Sequence, residues 1–258
     1  MRAMDLGQLA RDGYTVVEGV AGPEQIEPLL ALAQEISGVD MADPATWDPD
    51  REEILALWGH QAQWDLRQHP PVYEAFAAAY GERELAVSQD RLGVKVPGKR
   101  GMRIHHDVDP HDPPRVFGGL VYLTDTPPER GAFRCVPGLF RELDAWLERH
   151  PGAGVDLVDP EGHEVVAVPG RAGDMVLWDV RLPHANGENL ADAPRVVQYV
   201  SMFPHGAWGD TRADHVELWR SGRANPAFRS VPGHGGVQPW PPAELSPLGR
   251  RLIGLDPY

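Results

Sequence analysis

Hydrophobic residues recur at two different spacings along the chain, and each spacing predicts a different kind of element. In the first 84 residues the spacing is mainly helical. Pro23 begins a stretch through about Ser37 whose apolar positions recur every three or four residues. The same spacing predicts a helix over 51–67 and another, VYEAFAAAY, that ends at Gly81. Only YTVVE (14–18) is typical of a strand here, so this region is predicted to be mainly helical.

From residue 85 the pattern changes to short strand-like runs separated by Gly and Pro. The runs are LAVSQDRLGVKV (85–96), RIHHD (103–107), VFGGLVYLT (116–124), AFRCV (132–136), EVVAV (164–168), DMVLWD (174–179) and RVVQYVSMF (195–203). Such a series favours a sandwich or jelly roll over a βαβ fold. Helices are predicted near 138–149 and 211–221.

We therefore predict a mainly β protein with flanking helices, in which a jelly-roll barrel (a double-stranded β-helix, as in cupins) packs against the N-terminal helices. No linker or repeat divides the sequence, so 1–258 is expected to form a single domain. Its parts are a helical support region (1–84), a jelly-roll catalytic core (85–203), and a C-terminal helix with a Pro/Gly-rich tail (204–258).

Composition narrows the classes of protein. A 42% hydrophobic fraction is enough for a buried core, and a net charge of −14 argues against partners such as nucleic acid or an anionic membrane surface. The only cysteine, Cys135, excludes an internal disulfide and any multi-cysteine metal site. The sequence contains neither an apolar leader at its start nor a stretch as long as a membrane span, so a cytoplasmic protein is expected.

His105 and Asp107 form an H-x-D motif in a predicted strand. Residues i and i+2 of a strand face the same side, so both side chains would point into the barrel. With a histidine from a distant strand they would form the two-histidine, one-carboxylate site that suits non-haem Fe(II). The alternative is a pair of surface residues beside the turn that follows. A second match, His215-Val216-Glu217, is predicted to be helical, where such residues diverge, and we interpret it as solvated surface.

Several further motifs follow the H-x-D in a fixed order. They are GAFRCVPGLF (131–140), AGDMVLWD (172–179), HANGEN (184–189) and an arginine, Arg195, eleven residues after His184. Together with IHHD they resemble the phytanoyl-CoA dioxygenase family of iron(II)/2-oxoglutarate oxygenases over about residues 85–203. The chain departs from the family pattern at Leu139-Phe140, which replace Ser-His, and at Asn186, which replaces a serine that often contacts the cosubstrate.

The resemblance implies that His105, Asp107 and His184 are the catalytic metal ligands for Fe(II). It also implies that Arg195 pairs with the far carboxylate of 2-oxoglutarate, and an arginine offers a two-pronged, permanently charged partner for it. Asn186 could still donate to that carboxylate. Strand alternation places Arg103 on the metal-facing side, where it could bind an anionic group of the substrate or of the cosubstrate; a strand end reaching solvent is equally consistent with its position. Lys95 is a weaker candidate for the same role.

The resemblance further implies a dioxygenase that uses O2 and 2-oxoglutarate to oxidise an unactivated C–H bond of a small-molecule substrate, usually by hydroxylation. An intermediate of specialised metabolism is the substrate class that we favour by analogy. Two alternatives remain open. One is a cupin-like metalloenzyme, such as an isomerase or hydrolase, that does not use 2-oxoglutarate and does not need Arg195. The other is a barrel that has lost catalysis and serves as a binding module. No oligomeric state follows from the sequence.

Overall fold

Two antiparallel sheets pack against each other, and helices cover the outer face of the larger one, in this computed structural model. The structure describes residues 4–55, 57–113, 116–155, 158–207, 212–223 and 236–258. The helices are α1 (Leu6–Asp12), α2 (Pro23–Ser37), α3 (Gln61–Arg67), α4 (Pro70–Tyr80), α5 (Pro137–Arg141), α6 (Leu143–Arg149), α7 (Arg212–Ser221) and α8 (Pro247–Leu252). Within the ranges given above, no helix combines the length and apolarity needed to cross a bilayer.

The strands divide into a larger and a smaller sheet. They are β1 (Tyr14–Val17), β2 (Ile54–Leu55), β3 (Leu85–Val87), β4 (Leu92–Lys95), β5 (Phe117–Tyr122), β6 (Phe133–Cys135), β7 (Val166–Val168), β8 (Met175–Asp179), β9 (His184–Asn186) and β10 (Arg195–Pro204). The larger sheet has the order β1-β8-β5-β10-β4-β2, with β3 also paired to β10, and the smaller has the order β7-β6-β9. The predicted mainly β architecture with flanking helices is confirmed.

Alternation along the central strands separates two hydrophobic cores. On β5, Leu120 and Tyr122 point into the core between the sheets, whereas Val121 points toward the helices. On β10, Val197 faces the core between the sheets and Val200 faces the helices. Because side chains on a strand point alternately to its two faces, one strand supplies both cores. Residues that line the space between the sheets are therefore fixed by register, and this space holds the candidate site.

The predicted helix over 51–67 is wrong in its first half. Ile54 and Leu55 form an edge strand that pairs with β4, and the helix begins only at Gln61, where the His60 side chain accepts a hydrogen bond from the Ala62 amide. A two-residue strand is too short to show strand periodicity, and its apolar residues happen to match helical spacing.

Three smaller predictions also need correction. The run 103–107 contains one isolated bridge, at His105, and is otherwise irregular throughout its five described residues. The predicted helix over 138–149 is two short helices, α5 and α6. The helix predicted near 211–221 is α7, and its expected first residue, Thr211, lies outside the described residues. The H-x-E histidine, His215, lies on this helix. His215 is buried against Phe203 and is not solvated surface, because α7 packs this face onto the barrel.

Candidate metal centre

His105, Asp107 and His184 come together at one end of the smaller sheet. His105 lies on a loop that pairs with β9 through a two-way bridge: its amide donates to the His184 carbonyl at 3.0 Å, and the His184 amide donates back at 3.1 Å. This bridge brings the two rings to a centroid separation of 4.8 Å. One potential ligand atom from each of the three residues lies within 4.8 Å of the other two.

The Asp107 carboxylate bridges the two imidazoles. One oxygen is 3.6 Å from His105 Nε2 and the other is 3.2 Å from His184 Nε2. The exposed fraction of the side chain increases from 7% for His184 through 22% for His105 to 46% for Asp107. The cluster is therefore buried on the His184 side and open to solvent on the Asp107 side.

Backbone carbonyls fix which ring nitrogen of each histidine is free. His105 Nδ1 lies 2.9 Å from the Arg103 carbonyl oxygen, and His184 Nδ1 lies 2.8 Å from the Leu182 carbonyl oxygen. A carbonyl oxygen only accepts hydrogen bonds, so each Nδ1 carries a proton, and Nε2 is the nitrogen whose lone pair can bind a metal when the ring is neutral. This arrangement of metal-binding histidines, with the outer nitrogen bonded to a fixed acceptor, is typical of protein metal sites.

Proton binding at the cluster is strongly coupled. Burial alone would lower the pKa of His105, but the hydrogen bonds to Asp107 and to the Arg103 carbonyl raise it above 6.5. Partial desolvation opposes ionisation of Asp107, yet the charges and hydrogen bonds of His184 and His105 hold the pKa of that carboxyl well below its usual range. A carboxylate flanked by two imidazoles supplies the O,N,N donor set that Fe(II) favours, and three protein ligands leave coordination positions free.

Aromatic rings enclose the buried side of the cluster. Phe133 stacks on His184 with centroids 5.3 Å apart, and the Trp178 ring lies 5.3 Å from the same imidazole. Cys135 pairs with His184 across the β6–β9 register; it is buried, and burial raises the pKa of its thiol. His106 is buried against Trp146. Its pKa is lowered to about 4, mainly by burial and to a smaller extent by the nearby His184.

Arg195 is fully buried between the sheets, at the first residue of β10. Its guanidinium donates to Asn186 Oδ1 at 3.2 Å and to Glu53 Oε1 at 3.3 Å. Its Nε has no hydrogen-bond partner among the described residues. Asn186 is two residues beyond His184 on β9 and therefore shares its face, which connects the arginine to the metal cluster.

Lys95 and Glu53 are the charged side chains beside Arg195. The sequence suggested a role for Lys95 but none for Glu53. Lys95 is the register partner of Arg195 on β4, and its Nζ contacts Glu53 Oε2 at 3.1 Å and donates to the Gly187 carbonyl at 2.7 Å. Burial lowers the pKa of Lys95, and Glu53 opposes that effect. Glu53 lies in the stretch 51–67, for which the sequence predicted a helix. The strand patterns of 92–95 and 195–198 were the signal that could have placed Lys95 beside Arg195.

The remaining sequence candidates are placed as follows. Asn186 Nδ2 donates to the Tyr199 hydroxyl at 2.8 Å and to Glu53 at 3.2 Å. Arg103 has an exposed side chain, and its carbonyl positions His105, so its predicted contact with cosubstrate stays a prediction. Asp174 and Asn189 make hydrogen bonds with nearby backbone groups.

Comparison with known proteins gives a consistent result. The family profile described as Phytanoyl-CoA dioxygenase (PhyH) matches residues 9–197. Ectoine dioxygenase of Sphingopyxis alaskensis is 25% identical in an alignment that covers 72% of this chain and 70% of that protein.

Solved structures with the same fold include two proteins of nogalamycin biosynthesis. The non-heme alpha ketoglutarate dependent epimerase SnoN is 22% identical, with a TM-score of 0.57 and 93% of each chain covered. The carbocyclase SnoK is 21% identical, with a TM-score of 0.55 over 78% of this chain and 83% of its own. A further structure of SnoN contains Fe3+, alpha ketoglutarate and nogalamycin RO. The predicted double-stranded β-helix fold is confirmed.

Proposed function

The chain belongs to the phytanoyl-CoA dioxygenase family, and from that premise we propose that it is an iron(II)- and 2-oxoglutarate-dependent dioxygenase that oxidises an unactivated C–H bond of a small molecule. The observation that carries the proposal is the convergence of His105, Asp107 and His184. When bound, iron(II) and 2-oxoglutarate supply the oxidising chemistry, in which O2 is consumed and succinate and CO2 are released.

The residues of the cluster have distinct roles in this proposal. His105 and His184 offer their Nε2 lone pairs because the Arg103 and Leu182 carbonyls hold the Nδ1 protons. Asp107 contributes a negative charge that offsets part of the charge of the metal. Phe133 and Trp178 would exclude water from the His184 side, so that substrate and O2 approach from the open side.

Arg195 is the candidate partner for the distal carboxylate of 2-oxoglutarate. The guanidinium is fully buried, its hydrogen bonds to Asn186 and Glu53 are long, and its Nε has no hydrogen-bond partner in the part of the chain that the structure describes. A buried cation with unsatisfied donors favours an anionic ligand. Asn186 accepts from the arginine, donates to the Tyr199 hydroxyl and lies on the same strand as His184.

SnoN and SnoK are named for two different outcomes, epimerisation and carbocycle formation. For this chain we propose hydroxylation of a specialised metabolite, and analysis of the reaction product tests that outcome.

The test is anaerobic titration of the protein with Fe(II) and then 2-oxoglutarate, followed by visible spectroscopy. We expect a weak charge-transfer band in wild type and in His163→Ala, a histidine outside the cluster, and no band in His184→Ala. Arg195→Gln should raise the Kd for 2-oxoglutarate by about two orders of magnitude, because it leaves a buried carboxylate without its cation. Iron binding should change little, because Arg195 does not contact the candidate ligands.

Two results would contradict the proposal. One is the absence of the band in wild type, and the other is a band that is unchanged in His184→Ala. Equal loss of iron and 2-oxoglutarate binding in Arg195→Gln would remove the role assigned to that residue. Turnover with Zn(II) in the absence of O2 would instead favour the isomerase or hydrolase alternative.

A further inference from the structure

The cluster of Arg195, Lys95 and Glu53 places two cations side by side out of contact with water. Both basic side chains are completely buried, and the Glu53 side chain is 8% exposed. Removing like charges from water is costly unless a counter-ion accompanies them. Glu53 is that counter-ion, but it is one carboxylate against two cations, so these three described side chains together carry a net positive charge.

Glu53 divides its carboxylate unequally between its two cations. Its Oε2 is 3.1 Å from Lys95 Nζ, whereas its Oε1 is 3.3 Å from Arg195 Nη1 and also accepts from Asn186 Nδ2 at 3.2 Å. A strong pair between arginine and carboxylate is typically bidentate, with distances of about 2.7–2.9 Å. The contact between Glu53 and Arg195 is single and longer, so Glu53 binds the arginine only weakly.

Lys95 has the firmer position. Besides Glu53, its ammonium group donates to the carbonyls of Gly187 at 2.7 Å and Arg100 at 3.2 Å. The Glu53 backbone is also fixed, because its carbonyl accepts the Val94 amide at 2.8 Å beside the β2–β4 pairing. Any displacement of the carboxylate is thus confined to rotation of the Glu53 side chain about a fixed backbone and toward a fixed lysine.

We propose, on the basis of the function proposed above, that Glu53 is a displaceable internal anion that occupies Arg195 until 2-oxoglutarate arrives. The distal carboxylate of the cosubstrate then takes the guanidinium, and Glu53 is left with Lys95 alone. Each buried cation then has one carboxylate, and the charge of the cluster is balanced. Glu53 would thereby lower the affinity for 2-oxoglutarate, since the cosubstrate must compete with it, while it keeps the empty pocket stable.

The first test measures 2-oxoglutarate binding by anaerobic isothermal titration calorimetry, a readout that does not depend on turnover. Glu53→Gln keeps the shape of the side chain and removes the competing charge, so we expect the Kd to fall about tenfold. The matched control is Glu52→Gln, which removes the same charge from the adjacent exposed residue and should leave the Kd unchanged. An unchanged or higher Kd in Glu53→Gln would overturn the proposal.

A second measurement uses the wild-type protein and does not depend on the variant folding. In a crystal structure with 2-oxoglutarate bound, Glu53 Oε1 should lie beyond hydrogen-bond distance of Arg195 while Oε2 keeps its contact with Lys95. Retention of both contacts would refute displacement. Failure of the wild type to bind 2-oxoglutarate at all would instead refute the proposed function, so the two failures are distinguishable.

Discussion

Proton binding at the candidate metal ligands decides the pH range in which the site can take a metal ion. Hydrogen bonds to Asp107 and to a backbone carbonyl raise the pKa of His105 above 6.5 against the effect of burial, and Asp107 is ionised because its own pKa is lowered. Since a metal must displace the His105 proton, we expect Fe(II) affinity to fall as the pH is lowered through the raised pKa. Anaerobic metal titrations at a series of pH values on both sides of 6.5 measure this.

Asp107→Asn is the informative variant for this prediction. It removes the charge that raises the pKa of His105, so the remaining, weaker metal binding should persist to lower pH. In the metal-free wild type, low pH favours the folded state, because the protonated His105 pairs with Asp107. This contribution to stability is present below pH 6.5 and is lost as the pH rises through the pKa of His105 in the folded protein. An Fe(II) affinity that does not vary with pH would show that the His105 proton does not compete.

Single residues were predictable only where spacing constrained them. His105 and Asp107 are two apart, and Arg195 is eleven residues after His184, so the order of the motifs selected them from many similar side chains. Nothing comparable marked Glu53. It is one of 38 acidic residues and reaches Arg195 only because a two-residue edge strand carries it there, which is a property of tertiary structure.

At the scale of elements, the hydroxyl of Tyr122 connects the two sheets. It donates to the Val168 carbonyl at 2.7 Å and accepts the Phe133 amide at 3.0 Å, both on the smaller sheet. Tyr122→Phe leaves these two buried groups unpaired, which should lower the free energy of unfolding by about 1–3 kcal/mol. Urea denaturation measures the loss. The ring also lies 5.7 Å from the Arg195 guanidinium, so 2-oxoglutarate binding should weaken as well.

Tyr80 provides a matched control for Tyr122. Its hydroxyl makes the same kind of pair, donating to the Met202 carbonyl and accepting the Phe117 amide, but it connects helix α4 to the outer side of the larger sheet. Tyr80→Phe should cost similar stability and leave 2-oxoglutarate binding unchanged. If the two variants weaken cosubstrate binding equally, Tyr122 acts on the pocket only through general stability.

Helices and strands could be predicted where they were long enough to show a regular spacing of apolar residues. The runs that became β5, β8 and β10 have five or more residues and alternate or are continuously apolar, which is sufficient to identify them. The stretch 51–67 failed because a short edge strand and a short helix follow one another with apolar residues at compatible spacings. There, pairing with β4 decides the structure, and pairing is not visible in a local window.

At the scale of the whole molecule, the candidate metal site joins parts of the chain that are far apart in sequence. His184 belongs to the smaller sheet, whereas His105 and Asp107 lie in the loop that leaves β4 and returns to the larger sheet at β5. The loop is joined to β9 by the bridge between His105 and His184 and by the hydrogen bond from the Met102 amide to the Asn186 carbonyl. A bound metal would add a further connection between the loop and the smaller sheet and close the barrel at this end.

This connection predicts that the metal stabilises the fold as a whole. A ligand that binds only the folded state adds about 2.7 kcal/mol to the free energy of unfolding at 100 times its Kd. Thermal unfolding of the wild type and of His163→Ala should therefore shift upward with anaerobic Fe(II), and His184→Ala should show no shift. The comparison must use the metal-dependent shift, because His184→Ala also loses the ring contacts with Phe133 and Trp178 and unfolds earlier without metal. An equal shift in all three proteins would mean that the metal binds elsewhere and that the cluster does not close the barrel.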